Sequence, residues 1–209
     1  FHSHTMWSGD STTTPEELIE CVAASGIDVL CITDHNAVRG ARELQSELPC
    51  RVVVGEELKT HAGEIIGLFL SERIPQGLPP IEAATNIRDQ GGIVYVPHPF
   101  DPMRNNLRED VLDELFCLGL WRADEILNGK TSLKSLNRRA AEYASRNDLA
   151  PGAGSDAHVA EAIGSVFHEM PDFDDRASFL AAMRSGRAVG HHYDPPRLWR
   201  ARIVPSTSE

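Results

Sequence analysis

Residues 28–36 read Asp-Val-Leu-Cys-Ile-Thr-Asp-His-Asn, a short apolar run that ends in a polar turn. The run predicts a buried strand from Asp28 to Thr33. A helix is predicted before it, because Thr14-Pro15-Glu16-Glu17 combines an N-cap, a proline at the first helical position and a capping-box glutamate. This helix should end at Gly26, and a second helix is predicted from Arg39 to Glu47. The stretch therefore predicts one strand between two helices, with polar side chains where the strand ends.

The same alternation continues along the chain. Further strands are predicted at Arg51 to Leu58, Glu64 to Leu70, Ile93 to Pro97, Asp124 to Leu127 and Ala150 to Ser155. Further helices are predicted at Pro80 to Gln90, Arg108 to Cys117, Ser132 to Arg146 and Phe173 to Ser185. Strands that alternate with helices indicate an α/β protein with a mainly parallel sheet, and this number of repeats favours a closed or nearly closed barrel.

Length and charge limit the class of protein. The 209 residues, 41% of them hydrophobic, are enough for one well-buried core, so a single domain of residues 1–209 is predicted. No stretch is long and apolar enough for a membrane span and no leader precedes the first strand, so we expect a soluble protein without a membrane partner. The net charge of -11, without clustered Lys and Arg, argues against a nucleic-acid polymer as partner. The four cysteines lack a Cys-x-x-Cys pair, which predicts reduced, buried thiols and a cytoplasmic location.

Residue types that bind metals stand at the ends of the predicted strands. They occur in pairs at i and i+2 in two places, His2 with His4 and Asp156 with His158. In an extended segment such side chains lie on the same face. Single candidates follow other strands, namely His35, Glu57 and His98. Because the carboxyl ends of parallel strands share one edge of a barrel, these side chains should converge on a buried polynuclear metal centre.

Each candidate also has a plain structural explanation. His2 and His4 could belong to an exposed terminus, His35 to an ordinary polar turn, and Asp156 to a helix cap. Structural roles would scatter such residues over both ends of the strands, so their shared position favours the metal centre. Glu56 and Glu57 face opposite sides of their strand, and Glu57 is predicted to face the site.

The order of the motifs resembles the PHP (polymerase and histidinol phosphatase) superfamily over nearly the whole chain. The matching motifs are His2-Ser3-His4, Asp10, Thr33-Asp34-His35, Gly55-Glu56-Glu57, Pro97-His98-Pro99 and Gly154-Ser155-Asp156-Ala157-His158. The resemblance implies a distorted (β/α)7 TIM-like barrel that holds two or three divalent ions at the carboxyl ends of the strands. Zinc, manganese and iron are the metals it implies, and the reaction is hydrolysis of phosphate esters.

Three groups of ligands follow from the resemblance. The first ion is surrounded by His2, His4, Glu57 and Asp156. The third ion is held by Asp10, His35 and His158. The second ion takes Glu57, His98 and one further ligand, which in many relatives is a histidine. Glu64 occupies that place here, and His61 is a competing candidate; as a harder donor than imidazole, Glu64 would shift the site toward manganese or iron.

The implied chemistry is attack on phosphorus by a metal-bridged hydroxide. Arg104 and Lys59 are candidate phosphate clamps, although either could be a solvated surface cation. Glu125 and Asn128 could orient a ligand imidazole or the substrate, although a strand-to-turn transition explains Asn128 equally well. The expected substrate is a small phosphomonoester or nucleotide. Alternatives are an exonuclease-like phosphodiesterase, a non-catalytic metal-binding regulatory module and hydrolysis of a carbon–nitrogen bond.

Overall fold

The computed structural model describes residues 1–192. Its main element is a six-stranded sheet. The strands of this sheet are β1 (Val29–Ile32), β2 (Arg51–Thr60), β3 (Gly63–Leu68), β4 (Ile93–Val96), β5 (Ala123–Asn128) and β6 (Ala150–Gly154). The helices are α1 (Pro15–Ser25), α2 (Arg39–Leu44), α3 (Pro80–Asp89), α4 (Glu109–Cys117), α5 (Lys134–Arg146) and α6 (Arg176–Ser185). A separate hairpin of β7 (Val166–Glu169) and β8 (Arg187–Gly190) was not predicted from the sequence.

The strands follow one another across the sheet in chain order, from β1 to β6. The pairs β1–β2, β4–β5 and β5–β6 are parallel, as predicted, but β3 runs antiparallel to both β2 and β4. The cause is the connection between β2 and β3, a two-residue turn at His61 and Ala62. Such a turn can only form a hairpin, since a parallel pair needs a crossover of a dozen or more residues.

His2 and His4 were expected to lie on an extended segment, but this segment is not a regular strand. Only Ser3 forms a β-bridge, with Ala157 beyond β6. The segment nevertheless connects the two ends of the sheet, because Thr33 N–H donates to Ser3 O at 2.9 Å on one side and His4 N–H donates to Ala157 O at 3.0 Å on the other. The described residues therefore form a curled half-barrel.

Two hydrophobic cores lie on the two faces of this half-barrel. The outer core joins the sheet to α1 through α5 and contains Leu18, Ile32 and Leu112. The inner core is covered by α6 and is rich in aromatic rings, with Phe179 fully buried among its neighbours. The predicted start of α6 at Phe173 is too early, because Asp175 caps the helix and Phe173 packs against the Phe179 ring at 4.8 Å between centroids.

The four cysteines are free thiols, as predicted. Cys31 is buried, but Cys117 is exposed, so the prediction that all four are buried is wrong. Among residues 1–192, the longest helices are too short or too polar to cross a membrane.

Candidate metal centre

All nine predicted ligands meet in one cluster, which lies at the carboxyl ends of the parallel strands and includes Glu64 from the start of the antiparallel β3. Each has a nitrogen or oxygen atom within 4.0 Å of another member. The members are His2, His4, Asp10, His35, Glu57, Glu64, His98, Asp156 and His158. Seven of these side chains are less than one tenth exposed, whereas His35 and Asp10 are partly open to solvent at 14% and 39%. The cluster is therefore buried, with its accessible side at Asp10 and His35.

The Glu57 carboxylate is the centre of the cluster, since four imidazoles surround it. Oε2 of Glu57 lies 3.2 Å from a ring nitrogen of each of His2, His4 and His35. Oε1 lies 3.1 Å from Nε2 of His98. The neighbouring Glu56 faces away, where its Oε2 accepts from the backbone N–H of Ile74 at 2.8 Å.

The first predicted group of donors has the spacing of ligands that share one ion. Nε2 of His2 lies 3.0 Å from Nε2 of His4, and these two atoms lie 3.7 and 3.5 Å from Oδ1 of Asp156. Ligands at about 2.0–2.1 Å from a tetrahedral ion stand about 3.3 Å apart. His2, His4 and Asp156 therefore fit a divalent ion, with Glu57 as a fourth donor.

The donors predicted for the third and second ions also lie close together. Oδ2 of Asp10 lies 3.1 Å from Nε2 of His158 and 3.6 Å from Nε2 of His35. Nε2 of His98 lies 3.7 Å from Oε2 of the buried Glu64, which places Glu64 beside the second group. His61 is exposed on the β2–β3 turn, so the geometry favours Glu64 as the additional donor.

The charges of the cluster fit divalent cations. Burial raises the pKa of the Glu57 and Asp156 carboxyls, but the surrounding imidazoles outweigh it and hold both pKa values well below their usual range. Burial lowers the pKa of His2, but Glu57, Glu125 and Asp156 outweigh it and raise that pKa well above its usual value. Burial and the neighbouring His4 lower the pKa of His158 to about 4. Ionised carboxylates that hold protons on adjacent imidazoles form a site where metal cations can replace those protons.

Two side chains on β5, Glu125 and Asn128, contact the predicted ligands. Glu125 accepts from the backbone N–H of His98 at 2.7 Å, and its Oε1 lies 3.2 Å from Nδ1 of His2. This contact leaves Nε2 of His2 directed at the cluster, as expected for a carboxylate that orients a metal-bound imidazole. Asn128 donates from Nδ2 to Glu125 at 2.9 Å and to Asp156 at 3.4 Å. Both residues were predicted to orient a ligand imidazole or the substrate, and both contact predicted ligands.

Sequence reasoning missed a second pair of orienting residues, Asp34 and Ser8. Asp34 accepts from the backbone N–H and the hydroxyl of Thr5, both at 2.6 Å, and from the hydroxyl of Ser8 at 2.8 Å. The Ser8 hydroxyl in turn lies 2.8 Å from Nδ1 of His4. Asp34 stands inside a recognised motif, but nothing in the local sequence indicates that Ser8 contacts His4.

Of the two predicted phosphate clamps, Arg104 lies beside the cluster and Lys59 is exposed to solvent. A guanidinium nitrogen of Arg104 lies 3.7 Å from Oδ2 of Asp156 and donates to the carbonyl of Lys130 at 3.2 Å. Lys59 is exposed on β2, opposite Glu64 across the hairpin. Sequence reasoning also missed Lys130, whose buried ammonium group lies 3.0 Å from Nδ1 of His158. Two cations, on Arg104 and Lys130, therefore flank the cluster.

The backbone around the cluster is strained. Positive φ angles occur at Asn36 (52°), His98 (30°), Phe100 (68°) and Asp156 (51°), all at or just after a predicted ligand. Non-glycine residues in such conformations cost about 1–3 kcal/mol each and occur preferentially at functional sites. Gly154 lets Glu125 and His2 approach the backbone closely, because a Cβ at this position would overlap Glu125 and the Cβ of His2.

Comparison with known families agrees with this geometry. Residues 1–75 match the family model of the PHP domain, and residues 134–188 match the model described as PHP-associated. Uncharacterized protein MJ1587 from Methanocaldococcus jannaschii is 40% identical over 144 residues, which are 61% of this chain and 84% of the relative. Uncharacterized protein MJ0417 from the same organism is 35% identical over 170 residues, 79% of this chain and 67% of the relative.

The chain is also similar to part of a DNA polymerase and to a protein of known structure. The error-prone DNA polymerase of Mycobacterium tuberculosis is 42% identical over 65 residues, which are 29% of this chain and 6% of the polymerase. A Bacteroides vulgatus crystal structure, a two-domain protein "containing predicted PHP-like metal-dependent phosphoesterase", superposes with a TM-score of 0.71 at 19% identity. The similarity covers 91% of this chain and 64% of that chain, and it shows a shared fold.

Proposed function

This chain belongs to the PHP superfamily, and we propose that it is a metal-dependent phosphoesterase that hydrolyses a small phosphate ester. One observation carries the proposal: Glu57 is surrounded by four imidazoles in a buried cluster of nine donors, with Arg104 and Lys130 beside it. We further propose that the half-barrel is a distorted (β/α)7 barrel within a single domain of residues 1–209. The free thiols support a cytoplasmic location.

The donor groups suggest where cations would bind. One ion would be held by His2, His4, Glu57 and Asp156. A second would be held by Glu57, Glu64 and His98. A third would be held by Asp10, His35 and His158. Bound divalent ions supply Lewis acidity, which activates water as a nucleophile and offsets charge on the phosphoryl oxygens.

The protein's own side chains would bind and orient the ester. Arg104 and Lys130 carry positive charge to the two carboxylate oxygens of Asp156, Oδ2 and Oδ1 respectively, and a phosphoryl group next to the ions would contact both cations. Glu125 and Asn128 would keep His2, His98 and Asp156 in place during the reaction. Burial of the cluster excludes bulk water, which strengthens these charge interactions.

The proposed substrate is a phosphomonoester or nucleotide. Phe100, Asp101 and Arg104 belong to a short loop, and Asp101 ties it to Ser132 through hydrogen bonds of 2.7 and 2.8 Å. These bonds hold the loop against the residues that follow β5, close to the cluster. A short loop fixed in this way beside the cluster supports a small ester as the substrate.

The similarity to the error-prone polymerase favours one alternative, an exonuclease-like phosphodiesterase. The net charge of -11 opposes it, because a phosphate polymer is attracted by clustered positive charge.

A phosphate-release screen tests the proposal. The full chain, loaded separately with manganese, zinc or iron, is assayed on p-nitrophenyl phosphate, sugar phosphates, amino-alcohol phosphates, nucleotides and a single-stranded oligonucleotide. We expect at least one small monoester to release phosphate when a metal is bound. With a chelator present, no ester should release phosphate. Release from the oligonucleotide alone would favour the phosphodiesterase, and a metal-loaded protein inactive on every ester would favour a regulatory module.

A further inference from the structure

A cavity lies at the amino-terminal ends of β4 and β5, on the edge of the sheet opposite the metal centre. It is a cavity of about 480 Å³, within the usual range for small-molecule sites. Its lining includes Arg88, Gly91, Ile93, Arg122, Arg176 and Leu180. Because β4 runs from Ile93 at this cavity toward His98 at the metal centre, the two sites share a strand but lie at its opposite ends.

Three arginines from separate segments of the chain line the cavity. The guanidinium of Arg176, at the start of α6, lies against the α-carbon of Gly91, in the space that a Cβ would occupy. Arg88 donates to the carbonyl of Gly119 at 3.2 Å, and Arg122 donates to the carbonyl of Trp121 at 3.0 Å. These bonds hold two of the guanidiniums through one nitrogen each, so other N–H groups remain available to a ligand.

The positive charge of this cavity is not neutralised by ion pairs. Arg88, Arg122 and Arg176 are exposed, and within residues 1–192 no carboxylate lies within 4.0 Å of their charged groups, whereas Arg184, which is also exposed, pairs with Asp148 at 2.9 Å. One carboxylate, that of Asp175, lines the cavity, and its Oδ1 accepts from the backbone N–H of Ser178 at 2.8 Å as the cap of α6. In a chain of net charge -11, such a local excess of positive charge requires a specific explanation.

We propose that this cavity binds a small molecule that carries a diphosphate group. Planar guanidiniums match pairs of phosphate oxygens, and the three of them, less the negative charge of Asp175, leave two positive charges to offset those of a diphosphate group. The apolar side chains of Ile93 and Leu180 leave room for the remainder of the ligand. This site is separate from the metal centre and does not depend on the proposed hydrolase activity.

Calorimetric titration of the full chain with inorganic pyrophosphate tests this site. The protein is first freed of metals with a chelator, so that bound ions contribute nothing, and orthophosphate and citrate are titrated in parallel. We expect one pyrophosphate per chain, bound at least about tenfold more tightly than orthophosphate or citrate. Arg122→Ala and Arg176→Ala should each weaken pyrophosphate binding by about tenfold or more.

Two control variants locate the bound anion. Arg184→Ala removes the same charge from another exposed position, and Arg104→Ala removes a cation from the metal centre; both should keep the wild-type affinity. Wild-type affinity in Arg122→Ala and Arg176→Ala, or loss of binding in Arg104→Ala alone, would overturn the proposal. Equal binding of citrate would overturn the diphosphate assignment. Thermal unfolding of each variant verifies that it is folded, and Arg88→Ala replaces any variant that is not.

Discussion

The inner face of the half-barrel has two regions that differ in chemistry. At the carboxyl ends of the strands lie buried histidines and carboxylates on a strained backbone. Below them lies an aromatic core in which Phe179 contacts Phe1, Phe69 and Phe173 at centroid distances of 5.2, 5.0 and 4.8 Å. Burial of apolar rings stabilises the fold, whereas buried charge and positive φ angles reduce its stability.

This difference suggests that stability and activity are carried by different residues. Substitutions in the cluster should affect turnover more than folding, and substitutions in the aromatic core should do the reverse. Each prediction below tests one side of that division.

The largest effect is expected for Glu57→Gln. The amide keeps the size of the side chain but removes the charge that faces four imidazoles, so phosphate release should fall by at least about 10³-fold, or about 4 kcal/mol of transition-state stabilisation. Glu56→Gln is the matched control, because Glu56 is equally buried but faces Ile74, and its activity should remain near wild type. Equal loss in both variants would mean that folding, rather than the cluster, limits activity.

Phe179→Ala should produce the opposite result. Phe179 is fully buried, and its truncation leaves a cavity among aromatic rings, which should lower the free energy of unfolding by about 3–5 kcal/mol. Urea denaturation measures this loss. Activity per folded molecule should stay within about twofold of wild type; a tenfold loss without a loss of stability would contradict the division.

The pH dependence of stability provides a third test at Glu56. Burial raises the pKa of this carboxyl from 4.5 to about 7, against smaller opposite effects of the Ile74 N–H and Arg73. The folded protein therefore retains a proton that the unfolded chain loses, so this contribution is fully present below pH 4.5 and disappears as the pH rises through 7. The total change is about 3 kcal/mol at most.

Urea unfolding of the metal-free wild type and of Glu56→Gln from pH 5 to 7.5 isolates this effect. Relative to the variant, the wild type should lose stability across the range, because glutamine does not titrate. A difference that stays constant with pH would show that Glu56 is already ionised in the folded protein.

The smallest effects are expected at the cations around the cluster. Arg104→Ala should lower kcat/KM by about 10- to 100-fold, since its guanidinium stands beside Asp156. Lys59→Ala should lower it by no more than about threefold, because Lys59 is exposed and its charge is screened by solvent. Steady-state kinetics on the best ester from the screen gives both values. A larger loss at Lys59 would place the phosphoryl group on the Glu64 side of the cluster.

The features that the sequence predicted correctly are those that depend on local residue patterns. Apolar runs followed by polar turns located the strands and placed seven of the nine donors at strand ends, whereas Asp10 and Glu64 were assigned only from the resemblance to the PHP superfamily. The antiparallel β3 was not, because the decisive feature is the two-residue turn at His61 and Ala62 rather than any property of the strand itself. Lys130 and Arg176 were also missed, because their positions depend on contacts between segments distant in sequence.

Metal content tests the central claim most directly. Wild type, Glu57→Gln and Glu56→Gln are purified, loaded with manganese, zinc or iron, freed of loose ions and analysed by inductively coupled plasma mass spectrometry. The cluster predicts about two or three divalent ions per chain in the wild type and in Glu56→Gln, and at most about one in Glu57→Gln. Near-zero metal in the wild type, or the same content in all three proteins, would contradict the account.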